Sequence, residues 1–342
     1  MAVTRRWLPG PLLAFALAAG CGGPGTDDRS GGDADNTRAA VTFSNPVHDS
    51  NFPDPGVLKV GDTYFAYGTN DGVRNVPVLT SKDLVRWSGP SEAMPELGSW
   101  VTAGFNWAPE VLRVNPHRYV MYYTAKSTRV DLQCVGAAVA SNPGGPFVDS
   151  SDKPLICEAD EGGSIDASPF TDADGHFYLH WKNDGNHIGT ATHLYGQRLS
   201  ADGGTLVGKR ARLLTNHADW HRHVIEAPQM QFRNGRHYLF YSANAYDEAE
   251  YAVGYASCDG PLGPCRDAPE NPILVSGPGA AGPGHCSVVT GPDGNDWMLY
   301  HAWRPDAIGS AEPGRTMWLD RVDWEDGKPV VRGPTKKPQS KP

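Results

Sequence analysis

The stretch Val224-Ile225-Glu226-Ala227-Pro228-Gln229-Met230 places a carboxylate at the start of an apolar strand, and the same arrangement recurs along the chain. A turn at Asn234-Gly235 follows, and tyrosines stand twelve and fifteen residues after Glu226. An Asn-Gly pair between apolar and aromatic runs is a hairpin signal. The stretch therefore predicts two antiparallel strands with an acidic residue at their entrance.

Five such units start at Asp54, Trp107, Asp166, Glu226 and His285, a period of 53 to 60 residues. Repeated short strands are typical of a β-propeller, in which each unit is one small antiparallel sheet and the units surround a channel. We therefore predict an all-β fold, a five-bladed β-propeller, over residues 41–334. Equivalent positions on the innermost strands face the channel, so the five starting residues are expected to converge there. One acidic residue could equally cap a turn, but five register-matched positions are poorly explained in that way.

Composition restricts the class of ligand. The net charge of −9 provides no basic stripe to neutralise phosphates, which argues against nucleic acid as a partner. Ten tryptophans and thirteen tyrosines suit a neutral, sugar-like ligand, although most of these rings are expected to pack between blades.

The chain begins with the layout of an export signal. Arg5 and Arg6 precede an apolar run that ends at Ala19-Gly20-Cys21, which resembles a lipoprotein cleavage site. We predict a lipoprotein-type signal peptide over residues 1–20, a disordered tether over residues 21–40 and a disordered tail over residues 335–342. The protein is then exported, as a cell-envelope lipoprotein or extracellular, with membrane contact only through a lipid on Cys21. Ordinary secretion is the alternative.

An exported protein is expected to pair its cysteines. Cys258 and Cys265 bracket a tight turn, and Cys134 and Cys157 fall within one unit, so both pairs are predicted disulfides. Cys286 is left over. Because strand side chains alternate, it turns away from the channel if His285 faces it, and we expect a small buried apolar side chain.

The channel would hold three carboxyl groups, those of Asp54, Asp166 and Glu226. Like charges at close range share protons unevenly, and one ionised plus one protonated carboxyl group is the minimum equipment for hydrolysing a glycosidic bond. Glu110 lies three positions out of register and is expected in a supporting role near the rim. His221 and His223 could form a metal pair, but a loop at the pocket mouth is the preferred interpretation.

Four blocks together resemble the signature of glycoside hydrolase family 43, in order and spacing: Phe52-Pro53-Asp54-Pro55, Trp107-Ala108-Pro109-Glu110, Ser164-Ile165-Asp166-Ala167-Ser168-Pro169 and Ile225-Glu226-Ala227-Pro228. The resemblance implies a five-bladed, inverting enzyme acting on arabinans, arabinoxylans or xylo-oligosaccharides. It implies Asp54 as general base, Glu226 as general acid, and Asp166 as the residue that tunes and orients the acid. No cofactor is required, but His285 resembles a histidine near a central calcium or water cluster. Arg315 resembles a substrate-contacting arginine, and the nearby Arg321 is an alternative.

The resemblance is nearest to arabinan-active members through Cys134-Val135-Gly136-Ala137-Ala138 and Gly282-Pro283-Gly284-His285. We therefore expect an exo-α-L-arabinofuranosidase acting on plant cell-wall polysaccharide or its oligosaccharides, with the Trp107 indole stacking beside the reacting sugar. The alternatives are a β-xylosidase or an endo-arabinanase on the same scaffold, a catalytically silent carbohydrate-binding propeller, and a protein-interaction scaffold.

Overall fold

The structure, a computed structural model, describes residues 42–342, whose strands form a five-bladed β-propeller. The predicted fold class is confirmed. The predicted signal peptide, the lipid-bearing Cys21 and the tether lie outside the described residues. Within residues 42–342, no helix is long and apolar enough to span a membrane.

The blades follow one another along the chain, and each is an antiparallel sheet whose first strand is innermost. A short strand, β1 (Thr42–Phe43), precedes them. Blade 1 contains β2 (Gly56–Val60), β3 (Thr63–Tyr67), β4 (Pro77–Ser81) and β5 (Trp87–Glu92). Blade 2 contains three strands, β6 (Val101–Asn115), β7 (Arg118–Ser127) and β8 (Gln133–Ala140). Blade 3 contains β9 (Ser164–Thr171), β10 (Phe177–Asn183), β11 (His193–Leu199) and β12 (Leu206–Thr215). Blade 4 contains β13 (Ile225–Arg233), β14 (Arg236–Ala243), β15 (Ala252–Cys258) and β16 (Cys265–Asp267). Blade 5 contains β17 (Ala281–Thr290), β18 (Asp296–Trp303), β19 (Thr316–Glu325) and β20 (Lys328–Val331). The last strand is β21 (Gln339–Ser340), and three single-turn 3-10 helices lie at Ala159–Glu161, Gly185–Ile188 and Asp219–His221.

The predicted hairpin at Asn234-Gly235 is present in blade 4. Arg233 pairs with Arg236 across a two-residue turn, and both turn residues have positive φ, 52° and 77°. Two consecutive positive φ values match the right-handed twist of the flanking strands, and Asn-Gly is the sequence that accepts them most readily. The local sequence therefore determines the connection between β13 and β14.

Aromatic side chains fill the spaces between neighbouring sheets. The largest fully buried ones include Trp181, Tyr238, Tyr241 and Tyr300, which occupy the repeated aromatic positions of blades 3 to 5. The ring closes where blade 5 meets blade 1. There the Ser287 hydroxyl donates to the carbonyl of Pro55 at 2.9 Å. Most repeated aromatic residues thus pack the core between blades rather than face a ligand.

The C-terminal segment corrects the expectation of a disordered tail over residues 335–342. β21 pairs with β1 in an antiparallel two-stranded sheet. The buried carboxyl group of Asp320 accepts hydrogen bonds from the Thr335 amide at 3.3 Å and from the Gln339 side chain at 3.0 Å. Lys341 forms an ion pair with Asp83 at 2.8 Å. These partners lie in blades 5 and 1, so their effect could not be read from the tail's own polar composition.

Both predicted disulfides are confirmed, Cys134–Cys157 in blade 2 and Cys258–Cys265 between β15 and β16. Cys286 is a buried free thiol in the apolar cluster shared by blades 4 and 5. Burial raises the pKa of this thiol to about 12, which keeps it protonated and unreactive at neutral pH. It occupies the core as a small apolar side chain, as expected.

Candidate active site

Each blade has a non-glycine residue in the left-handed backbone region on its innermost strand or, in blade 1, two residues before that strand begins. The five residues have φ between 44° and 57°: Asp54, Ala108, Asp166, Ala227 and His285. In blades 2 to 5 the pairing with the second strand shifts at this residue, so that two residues of the inner strand face one of its neighbour, a β-bulge. A left-handed residue with a side chain costs roughly 1–2 kcal/mol, and such strain concentrates at functional sites.

The bulges correct the predicted register at two of the five starting positions. Trp107 pairs with Thr124, and Glu226 pairs with Ser242. Both residues therefore lie one position before the left-handed residue of their blades, whereas Asp54, Asp166 and His285 are themselves left-handed.

The equal spacing in the sequence concealed this difference. In blade 4 the hairpin turn has two residues, whereas Thr171 pairs with Phe177 across a five-residue turn in blade 3. Although Glu226 lies one residue before the bulge, the shorter turn keeps Tyr241, opposite the bulge, fifteen residues after Glu226. In blade 2 the residue opposite the bulge is Tyr123, whereas the residue fifteen positions after Trp107 is the adjacent Tyr122.

Hydrogen bonds between blades hold the left-handed residues in place. In four of five cases the backbone N–H donates to a side chain on the second strand of the preceding blade, or just after that strand in blade 1, at 2.8 to 3.2 Å. The acceptors are Thr69, Thr124, Ser242 and His301. Because buried backbone donors must be paired, this ring of acceptors supports the strained backbone around the channel.

Blade 3 breaks the ring, because its residue at this position is Lys182, which cannot accept a hydrogen bond. The Ala227 N–H donates instead to Asp166 Oδ2 at 3.0 Å. The Lys182 ammonium group is fully buried and lies 3.4 Å from Glu226 Oε2. It also donates to Asn186 Oδ1 at 2.6 Å and to Asp184 Oδ1 at 3.3 Å.

Asp54 is surrounded by donors and positive charge. Arg315 Nη1 lies 2.8 Å from Oδ1, the Thr69 hydroxyl donates to Oδ2 at 2.5 Å, and His285 Nδ1 is 3.5 Å from Oδ1. Burial alone would raise the pKa of this carboxyl group, but Arg315 and His285 hold it well below the usual value. Asp54 is therefore an ionised carboxylate, as a general base must be.

His301 is a neutral imidazole that supports Asp54. His301 Nδ1 lies 3.2 Å from the Asp54 backbone nitrogen, whose N–H points at it, and 3.2 Å from Asp54 Oδ1. Burial, with Arg315 nearby, lowers the pKa of His301 to about 4. The ring stacks on Tyr251 with an interplanar angle of 4°.

Glu226 is held from two sides. The Tyr251 hydroxyl donates to Oε1 at 2.7 Å, and Lys182 lies next to Oε2. Tyr251 occupies space that only glycine leaves free, because a Cβ on Gly284 would lie 1.9 Å from its ring. The Gly284-His285 pair therefore serves both carboxyl groups, with Gly284 making room for Tyr251 and His285 facing Asp54.

Asp166 is a buried carboxyl group with a raised pKa. Burial first, and then the negative charge of Glu226, raise the pKa of Asp166 to about 6, against the opposing effect of His285. Through Ala227 its carboxylate also fixes the backbone next to Glu226. Asp166 thus interacts electrostatically with Glu226 and also hydrogen-bonds the backbone of the next residue, Ala227.

One cavity of about 320 Å³ contains all six predicted site residues: Asp54, Trp107, Asp166, Glu226, His285 and Arg315. Arg315 also stacks on Tyr246, 4.8 Å from the ring centre. Arg321 instead pairs with Asp323 on the exposed surface, which separates the two candidate arginines. A second cavity, of about 430 Å³, opens at the hairpin end of the inner strands and contains none of the three central carboxyl groups.

Two other predicted residues have different positions from those expected. Glu110 is not at the rim beside the three carboxyl groups. It lines the second cavity and accepts from the Ser168 hydroxyl at 2.9 Å, and burial raises its pKa to about 7. His221 is buried away from the pocket mouth. Its Nδ1 accepts from backbone N–H groups, and its Nε2 lies 2.9 Å from the Tyr241 hydroxyl.

Among residues 42–342, no group of three or more His, Cys, Asp or Glu side chains is arranged to hold a metal ion. A calcium ion reached through water stays a prediction.

Sequence reasoning missed Thr69, Lys182, Tyr246, Tyr251 and His301. A signal for two of them was present, because Lys182 and His301 directly follow the repeated aromatic residues of blades 3 and 5. The position after the repeated aromatic residue of each second strand therefore identifies both of them in the sequence. Tyr246 and Tyr251 lie in the connection after β14, where the repeat carries no signal.

Comparison with known proteins agrees with this geometry. Residues 43–329 match the family model described as "Glycosyl hydrolases family 43". The extracellular exo-α-(1->5)-L-arabinofuranosidase of Streptomyces chartreusis is 33% identical over 207 residues, 57% of this chain and 62% of that enzyme. The xylosidase/arabinosidase of Butyrivibrio fibrisolvens is 27% identical over 307 residues, 85% of this chain and 56% of that enzyme. The matched regions thus cover 62% and 56% of the lengths of these two relatives.

A solved structure gives the same result for the whole propeller. The crystal structure of a thermostable family-43 glycoside hydrolase matches with a TM-score of 0.80 and 33% identity, over 88% of this chain and 99% of that one. With the family model covering most of its length and the fold shared throughout, the chain belongs to glycoside hydrolase family 43.

Proposed function

We propose that the protein is an exo-acting α-L-arabinofuranosidase that releases L-arabinofuranose from arabinan-derived oligosaccharides with inversion of configuration. The observation that carries the proposal is a pair of unlike carboxyl environments in one cavity. Asp54 is ionised between a guanidinium group and an imidazole, whereas Glu226 accepts from a tyrosine hydroxyl beside Asp166. Unlike environments are how two carboxyl groups divide the roles of base and acid.

The proposed reaction is a single displacement. A water molecule gives a proton to Asp54 as its oxygen bonds to the anomeric carbon, and the bond to the leaving oxygen breaks on the opposite face. Glu226 gives its proton to that leaving oxygen. Asp54 ends protonated and Glu226 ionised, and exchange with solvent restores both.

One observation supports arabinofuranose as the sugar, and two support a site for a single terminal sugar unit. The Streptomyces relative named for that activity has 33% identity over 57% of this chain, a higher identity over a shorter region than the Butyrivibrio relative. The cavity, of about 320 Å³ and lined by the three carboxyl groups, is a compact pocket that suits one terminal sugar unit. The Trp107 and Tyr246 rings line its wall and offer apolar faces to a sugar ring.

A β-xylosidase is the second candidate, because the Butyrivibrio relative is named for both sugars. An endo-arabinanase and a catalytically silent carbohydrate-binding propeller are the remaining alternatives. A silent carbohydrate-binding propeller does not need an ionised Asp54 in the same cavity as a Glu226 that accepts a tyrosine hydrogen bond.

Product analysis tests the proposal. The wild type is incubated with linear arabino-oligosaccharides and with xylobiose, and the first products are identified. Arabinose alone from the earliest time supports the exo-arabinofuranosidase. Mixed oligosaccharides indicate an endo-arabinanase, rapid cleavage of xylobiose alone indicates a β-xylosidase, and no turnover of either sugar rejects catalysis.

The stereochemical part has its own test. Proton NMR of the first-formed sugar is expected to show the inverted anomer before mutarotation. The retained anomer would contradict Asp54 as the base.

We further propose that the enzyme is exported and held at the cell envelope by a lipid on Cys21. The two disulfides support an oxidising compartment. Intact-mass analysis of the protein from its host membrane fraction tests this, since a Cys21→Ser variant should lose the lipid mass and leave the membrane.

A further inference from the structure

Lys182 is the one residue that departs from the interblade ring of acceptors. Four blades use Thr69, Thr124, Ser242 and His301 to accept the N–H of the next blade's left-handed residue. At the fifth position a hydroxyl would make the same bond to the Ala227 N–H. The fold therefore does not require a lysine there.

Placing a lysine at this position is costly. Its side chain is fully buried, and removing an ammonium group from water carries a penalty of several kcal/mol unless charges and hydrogen bonds compensate. Asn186 and Asp184 provide part of that compensation at 2.6 and 3.3 Å. The remaining direction of the ammonium group is toward Glu226 Oε2.

The charge on Glu226 changes during the proposed reaction, and the Lys182 ammonium group lies close enough to interact with that charge. As the proton leaves for the glycosidic oxygen, a carboxylate develops 3.4 Å from the ammonium group. A fixed positive charge in a water-poor site stabilises charge that appears in the transition state, with no need to reorient. Asn186 and Asp184 hold the ammonium group there beforehand.

We propose that Lys182 is a positioning residue that acts through Glu226, stabilising the carboxylate that forms as this acid gives up its proton. The inference rests on the proposed glycoside hydrolysis with Glu226 as acid. It explains why blade 3 has a lysine instead of a hydrogen-bond acceptor at this position, with the Ala227 N–H donating to Asp166 instead.

The test is a substitution that restores the ring. Lys182→Thr introduces the hydroxyl that blades 1 and 2 already carry at this position, so the fold provides a partner for it. Lys182→Arg keeps the charge and serves as the conservative variant. Thr124→Ser, which keeps a hydroxyl acceptor at the matching position of blade 2, is the control. Circular dichroism and the thermal midpoint establish that each variant is folded.

Leaving-group dependence is the readout, because a leaving group that departs easily needs little help from the acid. We measure kcat/KM on a dinitrophenyl glycoside and on an unactivated disaccharide of the sugar that the wild type cleaves. In Lys182→Thr the disaccharide rate should fall about ten- to hundredfold, the effect of losing a charge-assisted interaction. The dinitrophenyl rate should change by less than about threefold, and Lys182→Arg should recover part of the disaccharide rate.

Two results would overturn the assignment. A folded Lys182→Thr enzyme that keeps its disaccharide rate, or that loses both rates equally, shows that Lys182 has only a structural role. If Lys182→Thr does not fold, the same comparison is made with Asn186→Ala, which loosens the ammonium group, and equal losses on both substrates again reject the assignment. A wild type that cleaves neither substrate rejects the proposed function itself, which is a separate outcome.

Discussion

Replacing Glu110 with glutamine should make the protein more stable at alkaline pH. Burial raises the pKa of Glu110 from 4.5 to about 7 in the folded protein, whereas in the unfolded chain it stays near 4.5. Between these two values the folded state binds more protons, so stability falls as pH rises through that window. A difference of about 2.5 pKa units corresponds to about 3 kcal/mol lost by pH 8.

That magnitude is an upper limit, because the residue as a whole is only half-buried at the second cavity, and water there weakens the effect. Glutamine keeps the size of the side chain and can still bond the Ser168 hydroxyl, so Glu110→Gln removes the titration and little else.

The assay is urea unfolding at pH 5 and pH 8 for wild type, Glu110→Gln and a control, Glu96→Gln, which removes an exposed carboxylate. The free energy of unfolding of Glu110→Gln minus that of wild type should increase between pH 5 and pH 8 by about 1–3 kcal/mol. Glu96→Gln controls for the loss of one carboxyl group at the surface. A Glu110→Gln difference that is constant, or that decreases toward pH 8, would refute an elevated pKa at this site.

Tyr251→Phe removes the hydroxyl that donates to the proposed acid, Glu226, and should lower kcat/KM on unactivated substrates by about tenfold or more. The control is Tyr300→Phe, which loses a similarly short hydrogen bond to a buried carboxylate outside the cavity. This control should lower stability and leave kcat/KM unchanged. Arg315→Gln removes the positive charge that lowers the pKa of Asp54 against the effect of burial. The pKa of Asp54 should therefore rise, and the acidic limb of kcat/KM should move to higher pH. An unmoved limb would mean that Arg315 does not set this pKa. Asp166→Asn removes the negative charge that is present above about pH 6. Activity should fall, and the alkaline limb of kcat should move to lower pH, unless Asp166 acts by positioning alone.

Several features of this protein follow from the sequence by itself. The five units, the Asn234-Gly235 hairpin and the Cys258–Cys265 pair are local, because strand alternation, turn conformation and loop length each depend on residues close in the chain. The three carboxyl groups could be predicted for a related reason. Each opens an apolar strand in its own unit, so a repeated local pattern brings them to one channel in a closed ring.

The tertiary structure decided the features that depend on distant residues. Glu226 and Trp107 lie one residue before the left-handed residue of their blades. Equal spacing in the sequence conceals this difference, and only strand pairing shows it. The tail became a strand because β1 and Asp320, remote in sequence, supply its partners. Tyr251 reaches Glu226 only where Gly284 of the next blade leaves room. Lys182 stands out only against the hydrogen bonds of the other four blades, since its role depends on a contact made across blades rather than along the chain.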